Sequence, residues 1–432
     1  MNDAFPDKPV APLPMTTLVT TDLTGITRGR TCPSDELEHY RLAGCGWVPA
    51  YSALTPQGVM AADNPWGDAG DLRLVPDMPS RVTLNNGPDP RAPALDFIHG
   101  DLCEIDGREW AACPRTLLRH ELQRYRDELG LQVQAAFEHE FNLMDGDGPP
   151  QRAFSLQAQR QAAEFASWLL SALRTAGVEP ELFDAKHGNR QFEITCRPAL
   201  GVAAADRAVN VREISREIAR QLGLDLSFSP KPAEHAEPNG THLHISLQDL
   251  NGQPIFYDDS SDNRLSPLAQ HWAAGILQHL PALCALTAPT PVSYDRLHAR
   301  RWTATHGGVG RHDRNAALRI CSTVTLAGPP IAAQFNLEFR VLDATASPHL
   351  AMAALLIAGR LGIEQRLPLN AQHNEIPATL SDALDCLRRC DALVEALPTP
   401  LLDTYFALKT EELDMTRPLS IVERCEHYAH LY

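Results

Sequence analysis

Four short segments of this chain alternate apolar residues with acids, imidazoles or a guanidinium. Residues 133–143 read VQAAFEHEFNL. In an extended chain Glu138 and Glu140 share one face, while Phe137, His139 and Phe141 take the other. Residues 191–195 set Gln191 and Glu193 against Phe192 and Ile194. Residues 241–247 set His242, His244 and Ser246 against Leu243, Ile245 and Leu247. Residues 337–341 set Glu338 and Arg340 against Leu337, Phe339 and Val341. An ordinary wet sheet face favours Lys, Thr and Ser. Beside Gln191 and Ser246, the set offered here is four Glu, two His and one Arg. Carboxylate oxygen with imidazole nitrogen suits Mg²⁺ or Mn²⁺ sites that also hold phosphates. Any one of these residues alone reads as structural; four matching strands together read as a metal site.

A second cluster is basic. Arg296 follows a Ser293-Tyr294 turn, and Arg314 and Arg319 follow Gly307, Gly308 and Gly310. The planar fork of arginine fits phosphate and carboxylate. The chain has no G-x-x-x-x-G-K-[ST] and no G-x-G-x-x-G, so a nucleotide is not expected on a P-loop or a dinucleotide fold.

The elements that must carry these residues can be read from period and punctuation. Residues 1–15 look like a flexible arm. Residues 16–108 form a small α+β unit that starts with a hairpin turning at Gly25. Within it, residues 66–79 are broken by Gly and Pro, carry several Asp, and read as loop. A larger unit spans 109–432. Pro114 opens its first helix, at a position where the missing N–H costs nothing. Further helices are expected over 155–176, 203–222, 268–286, 348–363, 380–397 and 400–412, with the polar-faced strands between them.

The formal net charge is −16. Such a surface repels nucleic-acid backbones and anionic membranes and attracts small cationic amines. The first fifteen residues hold no apolar run, and the ten cysteines form no C-x-x-C. These features point to a reducing, cytoplasmic setting with buried, inert thiols.

The ordered strings DLTGITRGR, FEHEF, QFEI, SFSPKP, HLHISL, SYDRL, DRNAALRI and LEFRVLDATASPHLAMAAL resemble the glutamine synthetase superfamily over nearly the whole chain. In ammonia-using members a Glu lies six residues after the arginine of SYxRL. Here that position is Trp302, so the chain looks like the γ-glutamylpolyamine synthetase side. The resemblance implies an α+β fold: a β-grasp-like N-terminal domain, then a catalytic domain of antiparallel strands forming a funnel surrounded by helices. It implies ATP as substrate, two to three Mg²⁺ or Mn²⁺ ions, and a homo-oligomeric ring, usually a dodecamer. It also implies an acid, glutamate, joined to an amine through an acyl phosphate.

By the same resemblance Glu140 and Glu193 hold one metal, and Glu138, His242 and Glu338 a second. His244, Ser246, Arg314 and Arg319 face ATP. Arg296 and Arg340 hold the glutamate carboxylate and, with Arg319, the transferred phosphoryl group. Gly240 and Trp302 line the substrate site, where Trp302 either faces the alkyl part of the amine or only packs. Two departures stand out. The family places a further metal-binding Glu seven residues before Glu193, and here that residue is Lys186. Lys186 either takes the place of an ion, or yields the role to Asp184 or His187, or marks altered activity, as in a binding or regulatory homologue. The family's N-G-S-G becomes Glu237-Pro238-Asn239-Gly240, which bears on the identity of the acid.

Overall fold

The computed structural model describes residues 11–144, 151–298, 303–326, 328–369 and 374–432. Residues 1–10 of the expected arm, and Trp302, lie outside the described residues.

The N-terminal part is a six-stranded sheet made of β1 (Met15–Thr21), β2 (Thr27–Pro33), β3 (Cys45–Trp47), β4 (Leu72–Pro76), β5 (Val82–Leu84) and β6 (Leu95–Glu104). Helix α1 (Leu37–Ala43) packs beside it. β1 and β2 form the expected hairpin, and β1 runs parallel to β6. The segment expected as loop contains β4. Leu72 and Leu74 bury at alternate positions against Leu102 and Ile98, and the flanking prolines and glycines hid this short alternation.

The larger part is built on nine strands, and β7 (Leu131–Leu143) is the longest. The others are β8 (Pro180–Ala185), β9 (Gln191–Cys196), β10 (Ala199–Leu200), β11 (Leu226–Ser227), β12 (Thr241–Asp249), β13 (His306–Arg311), β14 (Ala316–Ile320) and β15 (Leu337–Phe339). The main order is β13-β14-β15-β12-β7-β9-β8. Its pairings are antiparallel except β13 with β14, which are parallel.

Helices cover the apolar side of this sheet: α2 (Pro114–Leu129), α3 (Leu156–Gln161), α4 (Ala163–Thr175) and α5 (Val202–Gln221). Then follow α6 (Pro267–Thr287), α7 (Pro291–Leu297), α8 (Ile331–Gln334) and α9 (Pro348–Glu364). The chain closes with α10 (Leu380–Arg388), α11 (Asp391–Ala396), α12 (Thr399–Thr416) and α13 (Ile421–Leu431). Two helices expected as continuous are broken, one at Ala162 and one around Arg389-Cys390. Among the described residues no helix is long and apolar enough to cross a membrane. All ten cysteines are free thiols.

The core runs between sheet and helices. Val133, Ala135, Leu243, Ile245, Leu337 and Phe339 bury with α6 and α9 residues such as Trp272 and Leu355. These are the apolar members of the alternating strands, so their burial fixes which way the polar members face. A one-residue slip would turn every carboxylate into the core.

Candidate metal and nucleotide site

Register brings the polar residues into rows across the sheet. His242 lies opposite Glu138, and Glu140 opposite Glu193. His244 lies opposite Glu338, and Glu338 opposite Arg319. The residues thus come from five neighbouring strands, β9, β7, β12, β15 and β14.

Two cavities open on this face and share Glu138. One, of about 280 Å³, is lined by Glu138, Glu140, Lys186, Glu193, His242, Arg314 and Arg340, and also by Asp184, His187, Glu237 and Pro238. The other, of about 270 Å³, is lined by Glu138, Ser246, His244, Phe335 and Asn336 among others. Of the residues predicted for metal and acid, Glu138, Glu140, Glu193, His242 and Arg340 line the first, together with Arg314, predicted for ATP. Ser246 and His244, also predicted for ATP, line the second, and Glu338 and Arg319 line neither.

Ligand atoms of Glu138, His242 and Glu338 lie within 4.8 Å of one another. His242 is buried, and among the described residues its Nδ1 has no hydrogen-bond partner. Burial first, and Arg340 next, hold its pKa well below the usual imidazole range, so the ring keeps a lone pair. For Glu138, burial alone would raise the pKa. His244 and His242 outweigh it, and the carboxylate sits well below its usual range. A neutral imidazole with an orphaned nitrogen beside two carboxylates fits a hard divalent cation. Glu338 also pairs with the guanidinium groups of Arg319 and Arg340.

Glu140 and Glu193 are arranged differently. Lys186 Nζ lies 3.2 Å from Glu140 Oε1 and 2.6 Å from Glu193 Oε2. Burial pulls the Lys186 pKa down, but Glu140 and Glu193 together outweigh it and the net shift is upward. The Glu193 pKa is raised by burial and by Glu138 and Glu140. Among the described residues neither Asp184 nor His187 joins a three-donor group; Asp184 Oδ1 instead accepts from Gln159 Nε2 at 3.3 Å.

Gly240 shapes the site through close approach. Its N–H donates to Glu140 Oε2 at 2.6 Å, and a Cβ there would meet His242 Cε1 at 2.5 Å. The segment around it is pinned by an amide network that sequence reasoning missed. Asn239 Nδ2 donates to Asn142 Oδ1 at 2.8 Å and to the Ser229 carbonyl at 2.9 Å. Gln191 Nε2 donates to Asn239 Oδ1 and to the Pro238 carbonyl, each at 2.9 Å. Buried amides between charged strands were the signal on offer.

Arg296 does not line either cavity. It is buried on α7, and its Nη2 donates to the carbonyls of Arg340, Val341 and Leu342 at 3.2, 2.5 and 2.8 Å. It braces the backbone that carries Arg340. Arg340 Nε in turn donates to the Arg314 carbonyl at 2.9 Å. Cys321 was not anticipated. Its Sγ lies 3.6 Å from His244 Nδ1 and 3.7 Å from Glu338 Oε2, making a second three-donor group. His244 Nδ1 also meets Asn336 Oδ1 at 2.9 Å.

The catalytic-domain model of glutamine synthetase matches residues 111–426, and the glutamine synthetase N-terminal domain model matches residues 7–110. The chain belongs to the glutamine synthetase family. Members of the family are ATP-dependent ligases that form carbon–nitrogen bonds with the help of divalent metal, and this chain is such a ligase. It is 32% identical to "Gamma-glutamylpolyamine synthetase GlnA3" of Streptomyces coelicolor, over 90% of this chain and 83% of that protein. It is 29% identical to "Glutamate--methylamine ligase" of Methyloversatilis universalis, over 90% of each. A solved structure described as a novel glutamine synthase homolog superposes with a TM-score of 0.95 at 58% identity, covering 98% of this chain and 100% of that one.

Proposed function

We propose that this glutamine synthetase family ligase joins the side-chain carboxylate of glutamate to an alkylamine or polyamine. The observation that carries the reading is the meeting of Glu138, His242 and Glu338, two of which, Glu138 and His242, line the cavity that Arg314 and Arg340 also line. Relatives named as polyamine and methylamine ligases support the choice of acceptor.

In this reading glutamate attacks the γ-phosphate of ATP to give γ-glutamyl phosphate and ADP. The amine then attacks the activated carbonyl and phosphate leaves. A free carboxylate resists attack because it is already negative, and phosphorylation supplies the leaving group. Glu138, His242 and Glu338 would hold a divalent ion, which when bound offsets charge on phosphate oxygens. Arg340 and Arg314 line the first cavity and present guanidinium to the acid and the transferred group; Arg319, paired to Glu338, is assigned to the phosphates. Such fixed donors lower the barrier because they need not reorganise as charge moves. His244 and Ser246 face the second cavity, where the nucleotide would lie. Gly240 shapes the acid pocket, and Trp302 is assigned to the amine side. Arg296 is assigned a bracing part.

The same reading includes a division of the chain near residue 109, a ring-shaped homo-oligomer and a cytoplasmic setting. A second reading, a binding or regulatory homologue, is favoured by one observation, the lysine lodged between Glu140 and Glu193.

Phosphate release from ATP with Mg²⁺ or Mn²⁺ and glutamate, across ammonia, putrescine, ethanolamine and methylamine, separates these readings. Turnover is expected to depend on an organic amine. Ammonia as the best acceptor would reassign the branch, and no amine-dependent release across a broad acid panel would favour the binding protein.

A further inference from the structure

Glu140 and Glu193 face each other across adjacent strands, and each is less than a tenth exposed. Like charges directly opposite repel, and burial removes the water that would screen them. A cation between them relieves this repulsion, and the chain supplies its own. Lys186 Nζ contacts one oxygen of each at 3.2 and 2.6 Å. A Mg²⁺ ion on the same oxygens would need about 2.1 Å to each, and so would compete for volume that the ammonium fills. The converging donors lie elsewhere. Among the described residues both three-donor groups contain Glu338, and neither contains Glu140 or Glu193.

The lysine is also anchored. Its backbone N–H donates to the Gln191 carbonyl at 2.8 Å, and Gly188 N–H donates to Gln191 Oε1 at 2.8 Å. Gln191 itself is tied to Asn239. The β8–β9 turn is thus locked to the strands whose charge the lysine neutralises.

We propose that the Lys186 ammonium is a tethered replacement for a divalent ion between Glu140 and Glu193. The site then takes a single ion of its own, at Glu138, His242 and Glu338. An ammonium has three donors; two are spent on the glutamates, and the third is offered to an anionic oxygen of the acid or the transferred phosphoryl group. This last contact rests on the ligase reading, whereas the ion count does not.

The test is a Mn²⁺ titration of the nucleotide-free protein followed by electron paramagnetic resonance. The wild type is expected to bind one ion per protomer and Lys186→Glu two. Lys186→Met leaves the two glutamates unneutralised, so it should melt lower than wild type and recover more Tm on adding Mn²⁺. Circular dichroism checks that each variant is folded; if Lys186→Glu does not fold, Lys186→Met carries the test. A wild-type protein with a second Mn²⁺ seated on Glu140 and Glu193 by anomalous diffraction would overturn the proposal. So would folded Lys186→Met whose Tm and Mn²⁺ response match wild type. For the third donor, Lys186→Met at saturating Mn²⁺ should raise KM for the acid about tenfold, the worth of one charge-assisted hydrogen bond. An unchanged KM removes that contact and leaves the ion count standing.

Discussion

Glu338 accepts from two guanidinium groups, those of Arg319 and Arg340, and its side chain is 1% exposed. Truncating it leaves two cations in a poorly solvated place. Glu338→Ala is expected to cost about 3–5 kcal/mol in urea unfolding, as breaking a buried pair does. Gly240 presents the opposite problem, too little room. A methyl group there meets the His242 ring at 2.5 Å, and overpacking of this kind costs about 1–3 kcal/mol. Gly240→Ala should therefore weaken Mn²⁺ binding about tenfold or more by tilting the imidazole, read by the same resonance titration. The residues at this scale were unevenly legible. Glu138, His242 and Glu338 showed themselves because strand period sorts faces. The bracing role of Arg296 did not, because its carbonyl partners lie far along the chain, at 340–342. Cys321 sits just past the end of β14, where no period applies, and nothing local distinguishes it from the other thiols.

At the scale of elements, the alternating strands declared both their type and their facing side. Pairing order was less legible. That β13 and β14 run parallel depends on a connection through residues 312–315 that returns by a short bend, and turn composition does not encode that direction. Helix breaks at Ala162 and near Cys390 were equally hidden, since helix-forming residues flank both. The packing of α6 on α9 was hidden too, although its cause is simple. A Cβ on Gly275 would meet the Ala358 carbonyl oxygen at 2.1 Å and Gly362 Cα at 2.8 Å. The two helices touch backbone to backbone, and neither can move without disturbing the sheet they cover. Gly275→Ala should force them apart and destabilise the fold by about 2 kcal/mol or more, measured as a lowered denaturation midpoint. A variant as stable as wild type would show that the helices can slide there at little cost.

Across the whole molecule, one buried network ties the N-terminal sheet to helices α2, α5 and α9. Arg115 at the start of α2 reaches Asp206 on α5 at 2.8 Å, Asp77 at 2.6 Å and Asp101 on β6 at 3.1 Å. His349 on α9 adds its Nε2 at 2.8 Å from Asp206. For Asp206, burial alone would raise the pKa, but His99, His349 and Arg115 hold it far below the usual carboxylate range. It therefore gives stability above the ordinary carboxylate pKa and loses it only in strong acid. His349 titrates sooner. Burial, its largest influence, draws its pKa below the usual imidazole value despite Asp206. The unfolded chain then takes up the proton first, and stability falls as pH drops below about 6.5. His349→Gln should flatten the slope of unfolding free energy between about pH 7 and 5 by up to about 1.4 kcal/mol per pH unit. An unchanged slope would mean that this imidazole is not held neutral. None of this network was visible in the sequence, because its members are separated by long stretches of chain and each looks like an ordinary helix or strand charge.

The lysine in the β8–β9 turn has a consequence for the cell's supply of ions. A bound ion is borrowed, and its occupancy follows the free concentration outside relative to its dissociation constant. The Lys186 ammonium is made with the chain, cannot diffuse away, and cannot be drawn off by a chelator. Scarcity of magnesium, or exchange for a softer metal, would then reach only the ion held by Glu138, His242 and Glu338. The Glu140–Glu193 pair would keep its charge balance whatever the medium contains.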